Sequence, residues 1–375
     1  MMYVRHEGLS SHVRKQRQRL AERASDVWSL LAAGEDVRAG ALLRELEPRV
    51  CLHVARHDSG GPCVELEPLE PRAWPSAELF ASCADERFAG TLSVGRSACA
   101  LERALAEVEQ SFGASLARAT LRAGFVRGHL LDVTLHVPEL QTGEKPQLAA
   151  EMLVRRVLGD RLFETWIGEV RALPAPRGGP LRVLDANMPS RLSLSELYDT
   201  VAAGVRAVLS QFEHTSVQRL ADGRHWTLLE LEPLEEARGL NKDDLFLIST
   251  CTPELVRCYL EGTPCSSRRF TQSGAVFAYV AYADAGAIAE RMERRAELER
   301  AIVQALSDQA CVTGLGFGTR GTYVDLALLD VEWALARLVP ALRARSVPNP
   351  CQIVFFDSQL ADDCVSIWSH HSHKC

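Results

Sequence analysis

The chain contains no run of about 18 consecutive apolar residues, and its opening MMYVRHEGLSSHVRKQRQRL holds no apolar core of the kind a secretory leader needs. Neither a membrane span nor export is expected, and the cytoplasm is the expected compartment. No CxxC pair, GxSxG elbow, GKS or GKT phosphate loop, HExxH pair or EF-hand loop occurs. These absences remove the common one-segment signatures of metal, nucleotide and nucleophile chemistry. A basic face is lacking too. The net charge is −7 with a sequence pI near 5.9, and arginine alternates with glutamate along the helical stretches. A phosphate backbone has nothing broad to bind, so nucleic acid is not an expected partner. The exception, Arg14 to Arg23, reads as the solvated face of a helix. Eleven cysteines is an odd number, and they are scattered through apolar segments, which fits reduced, buried thiols.

What is present is core-forming material. With 375 residues, 47% hydrophobic and 24% charged, the chain can fold as two domains of about 150 to 190 residues each. Two helices are predicted between Ser11 and about Leu46, broken near Gly34. The stretch RVCLHVARHDSGGPCVELEPL then alternates around a glycine turn and predicts a β-hairpin. SVQRLADGRHWTLLELEPLEE repeats that form, and the two stretches share VELEPLE (Val64 to Glu70) and LELEPLE (Leu229 to Glu235). A Leu-Phe pair follows each, in Glu78-Leu79-Phe80 and Asp244-Leu245-Phe246. Further on, GFVRGHLLDVTL (Gly124 to Leu135) matches GFGTRGTYVDLAL (Gly316 to Leu328) through Arg127 and Arg320, Gly128 and Gly321, Asp132 and Asp325, Leu135 and Leu328. Three landmarks in one order predict an internal duplication.

The second copy reads strand (GAVFAYVAY), helix (from Ala285 to Leu306), hairpin (ACVTGLGF and TYVDLALLD), helix (Val331 to Arg345), strand (CQIVFFD). That is βαββαβ, with an antiparallel sheet carrying both helices on one face. The first copy reads GTLSVG, Ala100 to Phe112, ATLRAGF, HLLDVTLHV, Leu148 to Leu158, and a short strand in Thr165 to Ala172. The expected fold class is therefore α+β, as tandem duplicated ferredoxin-like (βαββαβ) units, each preceded by a helix and a β-hairpin. The expected division is 1–46 for the N-terminal helices, 47–190 for the first repeat and 191–375 for the second. The second repeat carries an insertion near 251–274 and a His/Cys tail.

The chemical candidates are few. GLGFGTRG (Gly314 to Gly321) is followed by a strand and opens no helix, so a hairpin turn is expected there and not a phosphate loop. The repeated Arg-Gly-x-x-x-Asp nominates Arg127, Asp132, Arg320 and Asp325. A structural role is the first expectation for them, with the aspartates satisfying turn N–H groups or pairing with the arginines, and an acid–base role the alternative. His129 has Thr322 as its counterpart, so no histidine is shared between the copies. His370, His371, His373 and Cys375 supply imidazole and thiolate for zinc, although a single terminal tract lacks a rigid frame. Cys251, Cys258 and Cys265 recur every seven residues, which suggests one helical stripe or a redox-active cluster. Pro253 and Pro264 disfavour the helix, and inert buried thiols are the expectation.

VTGLGFGTRGTYVDLALLD, the helix after it and CQIVFFD resemble the small ferredoxin-like proteins typified by the bacterial ribonuclease E inhibitor B and related domains of unknown function. RGHLLDVTLHVPEL and WIGEVRALPAPRGGPLRVL look similar to uncharacterised bacterial proteins of this size. The resemblance implies a protein-binding or inhibitory role and brings no catalytic residues with it. The chain departs from that pattern in having two copies, extra hairpins and no strongly acidic tail. The leading expectation is a non-catalytic interaction protein of inhibitor or immunity type that holds another protein. The alternative is an enzyme or small-ligand-binding protein with its site between the repeats.

Overall fold

The computed structural model describes residues 11–56, 62–68, 74–84, 88, 92–96, 98–138, 144–175, 192–212, 225–233, 240, 242–284, 286–360 and 363–368. Helices α1 (Ser11–Ala32) and α2 (Asp36–Leu46) turn about Gly34, whose φ of 80° suits a residue without a Cβ. Strands β1 (Val50–Arg56) and β2 (Pro62–Pro68) form the antiparallel hairpin that alternation predicts. Val64 and Leu66 are buried while Glu65 and Glu67 face the other way. Helix α3 (Trp74–Ser82) closes this layer, with Phe80 stacked on Trp28 at 4.7 Å between ring centroids. One apolar cluster joins α1, α2, the hairpin and α3.

β3 (Leu92–Val94) comes next, then α4 (Leu101–Phe112), β4 (Thr120–Phe125), β5 (Leu131–Val137), α5 (Glu144–Leu158), α6 (Asp160–Trp166), β6 (Ile167–Pro174), β7 (Leu192–Ser193) and α7 (Leu197–Leu209). Four of these strands make a sheet in the order β6-β5-β4-β7. β5 and β6 run parallel, joined through α5 and α6, and the buried faces of α4, α5 and α7 share one cluster with β4 and β5.

The remaining elements are β8 (Thr227–Glu230), β9 (Leu245–Thr250), α8 (Pro253–Leu260), β10 (Val276–Ala283), α9 (Ile288–Leu306), β11 (Ala310–Gly318), β12 (Gly321–Leu328), α10 (Val331–Ala344), β13 (Cys351–Phe355) and β14 (Val365–Ser366). Their seven strands are ordered β14-β13-β10-β12-β11-β9-β8. From β10 to β13 the chain follows strand, helix, two strands, helix, strand, and every neighbouring pair is antiparallel. Ala278, Val280 and Tyr282 pack beneath α9 and α10. Phe277, Tyr279 and Ala281 pack on the opposite face, against α8, Leu245 and Phe270. A strand covered on both faces can be apolar at every position, which is why GAVFAYVAY does not alternate.

The α+β class is as expected, but strand pairing in the first half is not. GTLSVG contributes only the three residues of β3, which pairs in parallel with β2 in a separate three-stranded sheet. In the second half β10 separates β12 from β13 and is antiparallel to both, so β12 and β13 are parallel to each other. Without a strand in that middle position, β5 and β6 meet directly, and they meet in parallel. The expected last strand also shifts, because α6 takes up Thr165 and Trp166 and β6 starts at Ile167. The Leu-Phe landmarks take different structures: Phe80 lies in α3 and Phe246 in β9. β8 carries the second arm of the later predicted hairpin and pairs with β9, while the first arm falls largely on residues outside those described. Among the described residues, no helix is long and apolar enough to cross a membrane.

Candidate functional site

GLGFGTRG is a strand end and hairpin turn, as its context predicts. Asp325 stands in the middle of β12, opposite Gly314 on β11 and Tyr279 on β10. Gly314 is a matter of space: a Cβ there would sit 2.5 Å from Asp325 Oδ2. The carboxylate, 1% exposed, does not pair with Arg320. Its partner is Lys242, whose Nζ donates to Oδ1 at 2.5 Å and whose side chain is wholly buried. Lys242 opens a 3-10 turn (Lys242–Asp244) that feeds β9. Its ammonium is 5.0 Å from the ring centroids of Tyr279 and Phe356 and 5.9 Å from that of Tyr323.

These rings offer their negative faces to the cation but few hydrogen-bond acceptors. Burial therefore lowers the Lys242 pKa and raises that of Asp325, each against the pull of the other. Asp325 Oδ2 has no hydrogen-bond partner among the described residues. The aromatic wall is itself bonded. The Tyr259 and Tyr279 hydroxyls are 2.7 Å apart, and the Tyr323 hydroxyl donates to Asp244, whose other oxygen accepts the Arg320 N–H at 2.8 Å. This is a sealed box. It ties β9, β10 and β12 together, with the Lys242 and Asp325 side chains buried inside it.

The first half shows one part of this. Asp132 on β5 lies opposite Gly124 on β4, so an aspartate facing a glycine across the ladder recurs in both halves. Here the carboxylate accepts the Glu169 N–H at 3.0 Å and stands 3.9 Å from Arg171. Arg127 forms an ion pair with Glu261 just beyond α8, and His129 lies between the rings of Phe212 and Phe270, at 5.8 and 5.4 Å. Burial lowers the His129 pKa. Thus Asp132 and Asp325 sit in different sheets, neither aspartate pairs with its motif arginine, and the four candidates are not brought to one place. The turn 127–129 instead docks on α8.

No motif in the sequence singles out Lys242. One signal was available: it is one of only four lysines among 42 basic residues. An arginine fork would not fit an ammonium-sized box.

A cleft of about 450 Å³ opens between β3, α6, α7 and the 3-10 turn Ser267–Arg269. Arg96 reaches it from the end of β3, Arg161 and Trp166 from α6, Tyr198 from α7 and Arg268 from the 3-10 turn Ser267–Arg269. Among the described residues, three arginines line it and no acid does. Arg96 is neutralised from outside the lining by Glu67 at 2.8 Å, and Arg268 by Glu78 at 3.0 Å. Arg161 makes no ion pair or hydrogen bond with the described residues. Its pKa is lowered by partial burial and by the like charge of Arg268, against the weaker pull of Glu78. Asp160, the nearest acid in sequence, is turned away: one oxygen accepts the Arg96 N–H at 2.8 Å and the other pairs with Arg155 at 3.3 Å. No spacing rule joins Arg96, Arg161 and Arg268, and the sequence offered no sign of them as a set.

Among the described residues, no group of three or more His, Cys, Asp or Glu side chains is placed to hold a metal ion. The tail candidates His370, His371, His373 and Cys375 lie outside the described residues. No family model matches the chain, and no curated protein or solved structure matches it.

Proposed function

We propose that this protein binds a small anionic ligand in the arginine-lined cleft and performs no chemistry at Asp132 or Asp325. The observation that carries the reading is Arg161. A guanidinium with no ion pair or hydrogen bond among the described residues, sharing the pull of Glu78 with the second guanidinium that Glu78 pairs with, in a recess of about 450 Å³, is a charge arrangement that an anion would relieve. The volume is in the range that small molecules fill, and Trp166, Tyr198 and Leu162 offer apolar surface to the body of such a ligand. A protein partner, as an inhibitor or immunity protein would have, needs a broader surface than this recess supplies.

We also read the two halves as diverged copies of one ferredoxin-like unit. The Asp–Gly pair across the central hairpin of each half supports this. So does the parallel relation of β5 to β6 in one half and of β12 to β13 in the other.

Pyrophosphate, as a compact polyanion, tests the cleft. Titrated into the full chain, it should raise the melting temperature, and at a hundred times its Kd the gain should be about 2.7 kcal/mol. Arg161→Ala should fold normally, since Arg161 is exposed, and should lose the gain. An unchanged melting temperature with both pyrophosphate and a tricarboxylate, or an equal gain in the variant, overturns the reading.

A further inference from the structure

The three cysteines at seven-residue spacing are not a stripe on one helix. α8 begins with Pro253 in its first turn, where a missing N–H costs nothing, and stops at Leu260. Gly262, at φ 67°, then takes the left-handed conformation. Its N–H donates to the Tyr259 carbonyl at 3.2 Å, and the Thr263 N–H donates to that of Cys258 at 2.9 Å. This pair of bonds is the Schellman ending of a helix, and it turns the chain back on itself. Cys265 is thereby returned to Cys258, and its N–H is fixed by Ser358 Oγ at 2.9 Å. The two thiols share one buried cluster and interact side chain to side chain, and both are free. The Cys265 S–H donates to the Thr263 carbonyl at 3.3 Å.

The surroundings are not those of inert core thiols. Arg269 is 1% exposed and lies near both sulfurs; its guanidinium donates to the Pro264 carbonyl, and its Nε has no hydrogen-bond partner among the described residues. A buried cation with an unused donor favours a thiolate beside it. The contact between the two sulfurs, with the Arg269 charge, lowers the Cys258 pKa, while the same contact and burial raise that of Cys265, which separates the pair into an attacking and a resolving sulfur. The cover over Cys258 Sγ includes Gly128 of the docked turn, and that turn is held by the exposed Arg127–Glu261 pair.

We propose that Cys258 and Cys265 are a reversible dithiol–disulfide site oxidised by peroxide. The Cys258 thiolate attacks one peroxide oxygen, the O–O bond breaks, and hydroxide leaves and takes a proton to become water. Cys265 sulfur then attacks the resulting sulfenic sulfur, forming the S–S bond and releasing a second water. Two thiols lose two electrons and two protons, and one peroxide becomes two waters. The proposal does not depend on the cleft binding an anion.

The test uses the native full chain exposed to hydrogen peroxide, alkylated, digested and analysed by mass spectrometry. A peptide pair joined through Cys258 and Cys265 is expected, lost again on treatment with dithiothreitol. In Cys265→Ser, Cys258 should instead be trapped by a sulfenic-acid probe. Recovery of Cys258 and Cys265 as alkylated thiols while the exposed Cys63 and Cys83 are oxidised overturns the proposal, as does pairing of either with another cysteine. The wild-type measurement decides the matter even if the serine variant does not fold.

Discussion

Lys242 and Asp325 are each a liability alone. Removing one leaves the other as an uncompensated buried charge, which costs about 3–5 kcal/mol, whereas an apolar pair of similar volume is often neutral or better. Lys242→Met and Asp325→Val should therefore each lower the urea midpoint strongly, and the double variant should recover most of the loss. Additive losses in this cycle would show that the pair is not a coupled unit. Asp325 stands out in the sequence through its motif, and a structural role is the expectation there. Its partner was not foreseeable from spacing, because the contact spans 83 residues and the box is assembled from segments that meet only in the folded sheet.

Helices in the first half are held by charge as well as by apolar faces. Glu107 on α4 accepts from Arg156 on α5 at 2.7 Å, and that bond holds the carboxyl below its ordinary value of 4.5. The unfolded chain binds the proton more readily, so this contribution is present above pH 4.5 and is lost as pH falls through the lowered value. Glu107→Gln should flatten the acid limb of a plot of urea midpoint against pH. An unchanged acid limb would remove the pair from the stability of α4 and α5. At this scale the sequence was informative where segments were long: α9, α10 and the β10–β13 series stand where periodicity put them. It failed at GTLSVG, because a three-residue strand carries too little pattern to name its neighbour. The parallel pairing of β5 with β6 follows from a crossover and from no feature of either strand.

The halves are joined by a few contacts between distant segments. Arg268 with Glu78 spans 190 residues and Arg127 with Glu261 spans 134. Gly128 has a positive φ and lies against Cys258 Sγ, so Gly128→Ala brings strain and overlap together, at a cost of roughly 1–3 kcal/mol. Hydrogen exchange should rise in α8 and in residues 127–129 and not in β10 or β12; a uniform rise would mean that the turn is no separate docking element. The cleft is a property of this level alone, since Arg96, Arg161 and Arg268 come from segments with no shared motif. Leu240 and Lys242 are tied to residues made much later in the chain: the Leu240 carbonyl accepts from Gln352 at 2.9 Å, and Lys242 waits for Asp325. During synthesis at about 5–20 residues per second, that 83-residue gap leaves Lys242 without its partner for roughly 4 to 17 seconds after it is made. The turn that feeds β9 is thus expected to settle only after β12 and β13 of the same sheet have been made.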